Sequence, residues 1–401
     1  MKQSMNVAGT LTVSLPNGRK LSLPMKAVAM LESRERRLAG RGRDALAFRS
    51  LRFYDKANVK ATVGENVTTR QLDKNRRLIV VSGETAGPMM YSPSGSMTYE
   101  ELELLKMPGD FLSLLALLPD KKVAVGQTWS PGSWVAQMLT GTEAADKATI
   151  SCKLESVKNN QAKIGFHGSV NGARDGAATK IDFQGHLIYD LKRGYITRCQ
   201  LKQTDVSKEG PIAPAMSVTA KITLERRLTN HAGPLSTTQA SKIPLDPSEV
   251  LLRIRFDGPG NVKFHHARGW HVHHQSAGQA TLRLLKQGSF IAQVNIKQLP
   301  DAKKGEHLSE KQFQQDIRDA LGPQLKKIVK AEELKTSDNL FLYRVTATGT
   351  VKNTAMRWIY YLMATPSGQQ VSLVFTVEEQ FVKSLAGDDE AFVTSAEFPK
   401  P

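Results

Sequence analysis

The chain has 401 residues, 40% of them hydrophobic and 23% charged, with 55 Lys and Arg against 38 Asp and Glu for a formal net charge of +17. This is ordinary globular composition with length for two or three cores, and two domains are expected. Only Cys152 and Cys199 are present, which excludes a disulfide framework and a Cys-rich zinc site, and no run approaches the ~20 apolar residues of a membrane-spanning helix.

The first predicted element is a hairpin. Leu11, Val13 and Leu15 alternate with polar residues, Asn17-Gly18 supplies the two positive-φ positions of a type I′ turn, and Leu21 and Leu23 resume the alternation. The chain enters this pattern from Met5 with no signal peptide ahead of it, so a native leader is expected to have been trimmed. With such a leader the protein is extracytoplasmic, periplasmic or envelope-bound; without one it is cytoplasmic. Seven arginines then fall within nineteen positions, from Arg34 to Arg52. Arg34, Arg36, Arg37, Arg41 and Arg43 are the candidates for a polyanion site that attracts nucleic acid, anionic lipid or acidic polysaccharide. The alternative is a solvated strand-loop face. Aromatics for base stacking are few, only Phe48, Phe53 and Tyr54, so sequence-specific nucleic-acid reading is not expected.

Further strands are predicted at 47–54 and 77–82, after which the period changes. Thr98 with Glu101 forms a capping box that opens a short helix, and a second helix starts at Asp110 and ends before Pro119. Phe111, Leu112, Leu114, Leu115, Leu117 and Leu118 surround that second helix, which should be buried on most sides. From Ala148 the period is two for about eighty residues, with strands at 148–157, 161–170, 178–190, 194–205 and 217–229. Short connections imply an antiparallel meander, with a bulge near Gly185. Cys152 shares a face with Ile150 and Leu154, and Cys199 with Leu201, so buried thiols are expected, with one disulfide between adjacent strands as the alternative. The fold class is α+β. The N-terminal part is a curved antiparallel sheet, half-barrel-like, with internal short helices as its cover.

Residues 1–230 make this first domain, and the polar segment 231–249, with three prolines, reads as a linker. The second domain, 250–401, runs strand, strand, helix, three strands, helix. Ser309 to Gln312 is its capping box, Phe313, Ile317, Leu321, Leu325 and Ile328 recur at helical spacing, and Gly322-Pro323 should kink or restart the helix. The strand 355–364 is apolar at nearly every position and should be buried on both faces. An antiparallel sheet between two helical layers, an α/β/α sandwich, is the economical packing.

Phe264 and the pair Gly269-Trp270 lead the first strand of this domain, and over 262–398 the chain resembles the PsbP/Mog1-like family of α/β/α modules. That resemblance implies a non-enzymatic binding or assembly module. The segments 118–129, which ends Val-Gly-Gln-Thr-Trp, and 189–198 resemble patterns in uncharacterised, exported β-rich bacterial proteins, planctomycete ones included, which implies an extracytoplasmic protein.

Five of nine histidines lie between positions 265 and 274. In a regular strand His271 and His273 share one face about 7 Å apart, and with His265 or His266 they could hold Zn(II) or Cu(II). The alternative is a solvent-facing strand, with no cofactor. A third candidate is a hydrophobic ligand under the curved sheet, among Leu112, Leu115, Phe183 and Tyr189, in place of a filled core. No Gly-x-Ser-x-Gly elbow, phosphate loop, dinucleotide fingerprint or His-Glu-x-x-His is present. The expected function is therefore non-catalytic binding or assembly at the cell envelope, with an unknown envelope protein, hydrophobic ligand or anionic surface as partner, and metal or polyanion and lipid binding as alternatives.

Overall fold

The computed structural model describes residues 1–15, 17–38, 48–84, 87–243, 247–336, 340–385 and 387–399. The chain divides into two compact units, Met1–Leu251 and Leu252–Pro401. Both are built mostly of antiparallel strands, with few and short helices, so the protein is a sheet-rich α+β chain.

In the first unit the strands are β1 (Lys2–Ser14), β2 (Lys20–Arg37), β3 (Arg49–Val63), β4 (Asn66–Gln71), β5 (Leu78–Ser82), β6 (Met89–Tyr91), the two-residue β7 (Met97–Thr98) and β8 (Thr128–Trp129). They continue as β9 (Ala144–Lys158), β10 (Gln161–Arg174), β11 (Ala177–Asp190), β12 (Tyr195–Ser207) and β13 (Ala215–Glu225). All of them except β7 form one sheet in the order β6-β5-β3-β2-β1-β13-β12-β11-β10-β9-β8, with β4 beside β3, and the two ends do not meet, so the sheet is open. Two turns have φ positive at both residues, Asn159 (51°) with Asn160 (59°) and Asp175 (53°) with Gly176 (71°). That geometry matches the right-handed twist of the strands it joins.

The first hairpin forms, but not through a two-residue turn. The Leu15 N–H donates to the Arg19 carbonyl (2.8 Å) and the Gly18 N–H to the Leu15 carbonyl (2.9 Å), so the closing pair is one step wider than Asn17-Gly18 requires. The residue that would have to close the narrower loop is a proline, which has no N–H to give.

Three short helices cover the apolar face: α1 (Tyr99–Leu105), α2 (Phe111–Leu115) and α3 (Ser133–Thr140). The predicted capping box opens α1, with the Glu101 N–H on Thr98 Oγ1 (3.2 Å) and the Thr98 N–H on Glu101 Oε2 (3.0 Å). Phe111, Leu114 and Leu117 from α2 and the turn after it, with Val135 and Leu139 from α3, pack on Cys152, Ile164, Phe166, Phe183, Leu187, Cys199 and Leu201. Both cysteines are free. They stand on β9 and β12 with two strands between them, about 14 Å at the usual strand spacing, beyond disulfide reach. Burial pushes both thiols up to about 12.

Gly185 does not mark a bulge. The ladder runs unbroken through it, and β11 slips register against β12 between Ile188 and Tyr189 instead. What needs a glycine at 185 is contact: a β-carbon there would stand 2.3 Å from the Gln200 carbonyl and 2.7 Å from Phe166 Cζ. Gly168 faces Phe183 in the same way, so two crossed Gly–Phe pairs seat the rings over bare backbone.

The segment after β13 is not an undocked tether. A 3-10 turn at Gly233–Leu235 lies against β2 and β3, and a short helix α4 (Thr237–Ala240) packs on that turn. Leu235 is buried, and the Arg36 guanidinium donates to the Leu235 carbonyl (2.9 Å) and Thr237 Oγ1 (3.2 Å). One apolar anchor and one arginine fork fix residues 233–237, although the composition of the segment is polar.

The second unit follows a short helix α5 (Glu249–Leu252) and opens with a hairpin of β14 (Ile254–Asp257) and β15 (Lys263–His266). A seven-stranded antiparallel sheet follows, made of β16 (Trp270–Gln275), β17 (Gln279–Lys286), β18 (Ser289–Leu299), β19 (Leu325–Glu333), β20 (Phe341–Val351), β21 (Thr354–Ala364) and β22 (Gln370–Glu378). Its order is β16-β17-β18-β22-β21-β20-β19. Helix α6 (Glu310–Leu321) covers one face through Phe313, Ile317 and Leu321; α7 (Val382–Leu385) and α8 (Asp388–Val393) cover the other through Leu385 and Phe392. Strand β21 is interior and feeds both cores, Trp358 and Leu362 to one side and Tyr361 and Met363 to the other. Leu325 and Ile328 are not helical: Gly322 at φ 48°, followed by Pro323, turns the chain into edge strand β19.

Candidate functional site

The polar face of β9–β13 carries two rows of directly opposed residues. The first runs Ser151, His167, Gln184, Lys202, Lys221, one residue per strand from β9 to β13. The second runs Thr128, Lys153, Gly165, His186, Gln200, Thr223, starting from β8. Together they line a shallow trough of about 680 Å³ that crosses the strands. Its lysine, histidine and carboxylate lining is Lys153, Lys202, Lys221, His167, His186 and Glu155, and the Glu155 carboxylate is held by Lys163 Nζ at 2.8 Å. Gly165 lies beneath that carboxylate; a β-carbon there would meet Glu155 Oε1 at 2.3 Å.

Lys202 and Lys221 face each other across adjacent antiparallel strands, an arrangement that costs stability by repulsion. Among the described residues neither they nor Lys153 make an ion pair. Burial, and then Lys163, lower the pKa of His186, so at neutral pH it offers one N–H donor and one acceptor. The trough therefore presents a cationic pair, Lys202 with Lys221, and a third cation, Lys153, with amide, hydroxyl and imidazole groups between them. Such a surface can hold an anion that also carries hydroxyls.

A second polar constellation is buried under the opposite face. Arg52, 1% exposed, donates to both Asp110 oxygens (2.5 and 2.9 Å) and to Glu35 Oε1 (3.0 Å). Arg226 Nη2 lies 3.3 Å from Glu35 Oε2, with its guanidinium 3.9 Å from the Phe111 ring centre. Burial pushes Glu35 up, but Arg52 and Arg226 outweigh it and hold the carboxyl below its usual range. Asp110 Oδ1 also accepts the Leu112 N–H (2.9 Å), so one carboxylate caps α2 and fixes Arg52. Two arginines and two carboxylates balance, and the chain ties β2, β3 and α2 together.

These arginines alter the reading of the basic cluster. Arg34 is paired with Asp55 (2.6 Å), Arg36 holds Leu235 and Thr237, and Arg37 lies 5.1 Å from the Phe48 ring centre. Arg34 and Arg36 are thus hydrogen-bonded within the chain, while Arg37 is exposed beside its ring. Arg41 and Arg43 lie outside the described residues.

The histidines do not converge either. His273 is the extra residue where β16 slips against β17 between Val272 and His274, which breaks the regular alternation with His271. His271 is buried and His273 exposed, while His265 Nε2 sits 3.4 Å from Glu397 Oε1. His266 is buried and stacked on Phe392, ring centres 5.5 Å apart. Among the described residues no group of three His, Cys, Asp or Glu is placed to hold a metal. Of the apolar candidates, Phe183 is core, Leu115 and Tyr189 pack at its border, and Leu112 is buried. Leu115 also borders a crevice of about 430 Å³ with Leu118, Trp129 and Trp134.

No family model and no curated protein matches the chain. Among solved structures, cyanobacterial PsbP (CyanoP) from Synechocystis is similar over 42% of this chain and 100% of its own, at 13% identity and a TM-score of 0.28. OpdQ of Pseudomonas aeruginosa aligns over 94% of this chain and 97% of its own, at 7% identity and a TM-score of 0.14. No helix among the described residues is long and apolar enough to cross a membrane.

Proposed function

We propose that this chain is a non-catalytic binding protein of the cell envelope that holds an anionic, hydroxyl-bearing ligand in the trough across β9–β13. The observation that carries the reading is Lys202 opposite Lys221, unpaired among the described residues, in the trough that also presents Lys153. Repulsion of that kind is relieved when an anion lies between the two ammonium groups. The envelope assignment draws on the likeness of 118–129 and 189–198 to exported proteins. Binding is favoured over catalysis because Glu155, the carboxylate in the trough, is already neutralised by Lys163.

The test is retention of the full chain on a carboxylate-bearing matrix over a salt gradient. The wild type should elute later than Lys153→Ser/Lys202→Ser/Lys221→Ser by more than a matched loss of three lysines elsewhere, for example Lys326→Ser/Lys327→Ser/Lys330→Ser. Equal shifts for the two triples would contradict the reading, since retention would then follow net charge alone.

A further inference from the structure

We infer that the ligand class is a linear acidic polysaccharide laid across the strands, an inference that rests on the trough reading. The spacing of the two rows is the first reason. Each neighbouring strand adds one step of ~4.8 Å, so Ser151, His167, Gln184, Lys202 and Lys221 present one polar group per step along a straight line. That step is close to the length of one pyranose unit in an extended chain. A peptide would instead follow strand direction along an edge, where backbone groups are open to it.

The second reason is the order of chemistry along the rows. Lys202 and Lys221 stand together at one end of the first row and Lys153 near the other end of the second, and between them lie groups suited to hydroxyls, Gln184 in one row and His186 and Gln200 in the other. A uronic-acid polymer has the same composition, a carboxylate and free hydroxyls on each ring. Nucleic acid fits less well. It carries about one charge per 1.7 Å of duplex and binds single-stranded through aromatic stacking. The aromatic side chain bordering the trough, Phe166, is turned to the apolar side, over Gly185.

The experiment is calorimetric titration of the full chain with oligogalacturonates of two to ten units, with inorganic polyphosphate and oligothymidylate of matched length beside them. Affinity should climb by at least about tenfold from the dimer and level off at ~5 units, the number of strands crossed. Lys153→Ser/Lys202→Ser/Lys221→Ser should lose that gain, and Lys121→Ser/Lys122→Ser should keep it. If the trough triple binds the pentamer as tightly as the wild type, the trough reading itself falls. Should the triple lose binding while length makes no difference, or polyphosphate or oligothymidylate bind about tenfold tighter, the site stands and the polysaccharide assignment is overturned. No binding of any oligogalacturonate also overturns it.

Discussion

Lys202 and Lys221 stand directly opposite each other on β12 and β13, with no carboxylate paired to either among the described residues. Folding brings these charges together at a cost, and a surface under selection for stability alone would mix signs there. Lys221→Gln is therefore expected to raise stability slightly, by about 0.3 kcal/mol at low ionic strength, with the gain fading as salt is added. Thermal melts at two salt concentrations check this. A stabilising substitution that also weakens anion binding would mark the pair as kept for ligand.

Asp110 serves two structures at once, as the cap of α2 and the counter-charge of Arg52. Asp110→Ala leaves the guanidinium, 1% exposed, with Glu35 alone, which Arg226 also shares. Loss of one partner of a buried pair costs about 3–5 kcal/mol. In denaturant unfolding the variant should show an early transition, while a double change, Asp110→Leu with Arg52→Met, recovers part of the loss because no charge is left stranded.

His266 supplies a pH-dependence with a definite sign. Burial is the main cause that lowers its pKa, from 6.5 to about 4, and His271 and His265 push the same way. The folded value lies below the unfolded one, so this contribution to stability is complete above pH 6.5 and is lost as the pH falls towards 4. The 2.5-unit gap corresponds to about 3 kcal/mol at pH 4. Replacing His266 by Phe, which can keep the stack on Phe392, should flatten the stability-pH curve between 6.5 and 4 relative to wild type. An unchanged slope would show that the imidazole titrates normally in the fold.

Gly185→Ala places a methyl 2.3 Å from the Gln200 carbonyl and 2.7 Å from Phe166. Because one of those neighbours is backbone, strands β11 and β12 must separate, and Phe166 must also leave its seat, at about 1–3 kcal/mol. Gly278→Ala, where a β-carbon meets nothing within 4 Å, is the control and should change stability little.

The alternation of 148–229 made the meander and its apolar side legible, because period two with short turns admits few other topologies. The trough was not legible, although its members are the polar half of that same alternation. Two-residue turns at Asn159-Asn160 and Asp175-Gly176 would allow residues on β9, β10 and β11 to be matched by counting. One-residue slips at Lys163/Ile164 and Ile188/Tyr189 shift every partner beyond them, and no turn signal announces a slip. The pairing of Lys202 with Lys221 lies across the longer 208–214 connection, which fixes no register. The partners of the arginine cluster were hidden for a related reason. Density of charge along a chain says nothing about Glu35, Asp55 and Asp110, which reach Arg52 and Arg34 from other strands or a helix. At His273 a bulge, again silent in the sequence, broke the spacing on which a metal pair depended.

The most direct test of the trough is lysine reactivity. The full chain is labelled with an amine-acetylating reagent, with and without saturating polygalacturonate, and each lysine is quantified by mass spectrometry. The account predicts that Lys153, Lys202 and Lys221 become protected together, while Lys121, Lys122, Lys326 and Lys327 react as before. Protection confined to other lysines, or spread evenly over all of them, would contradict it.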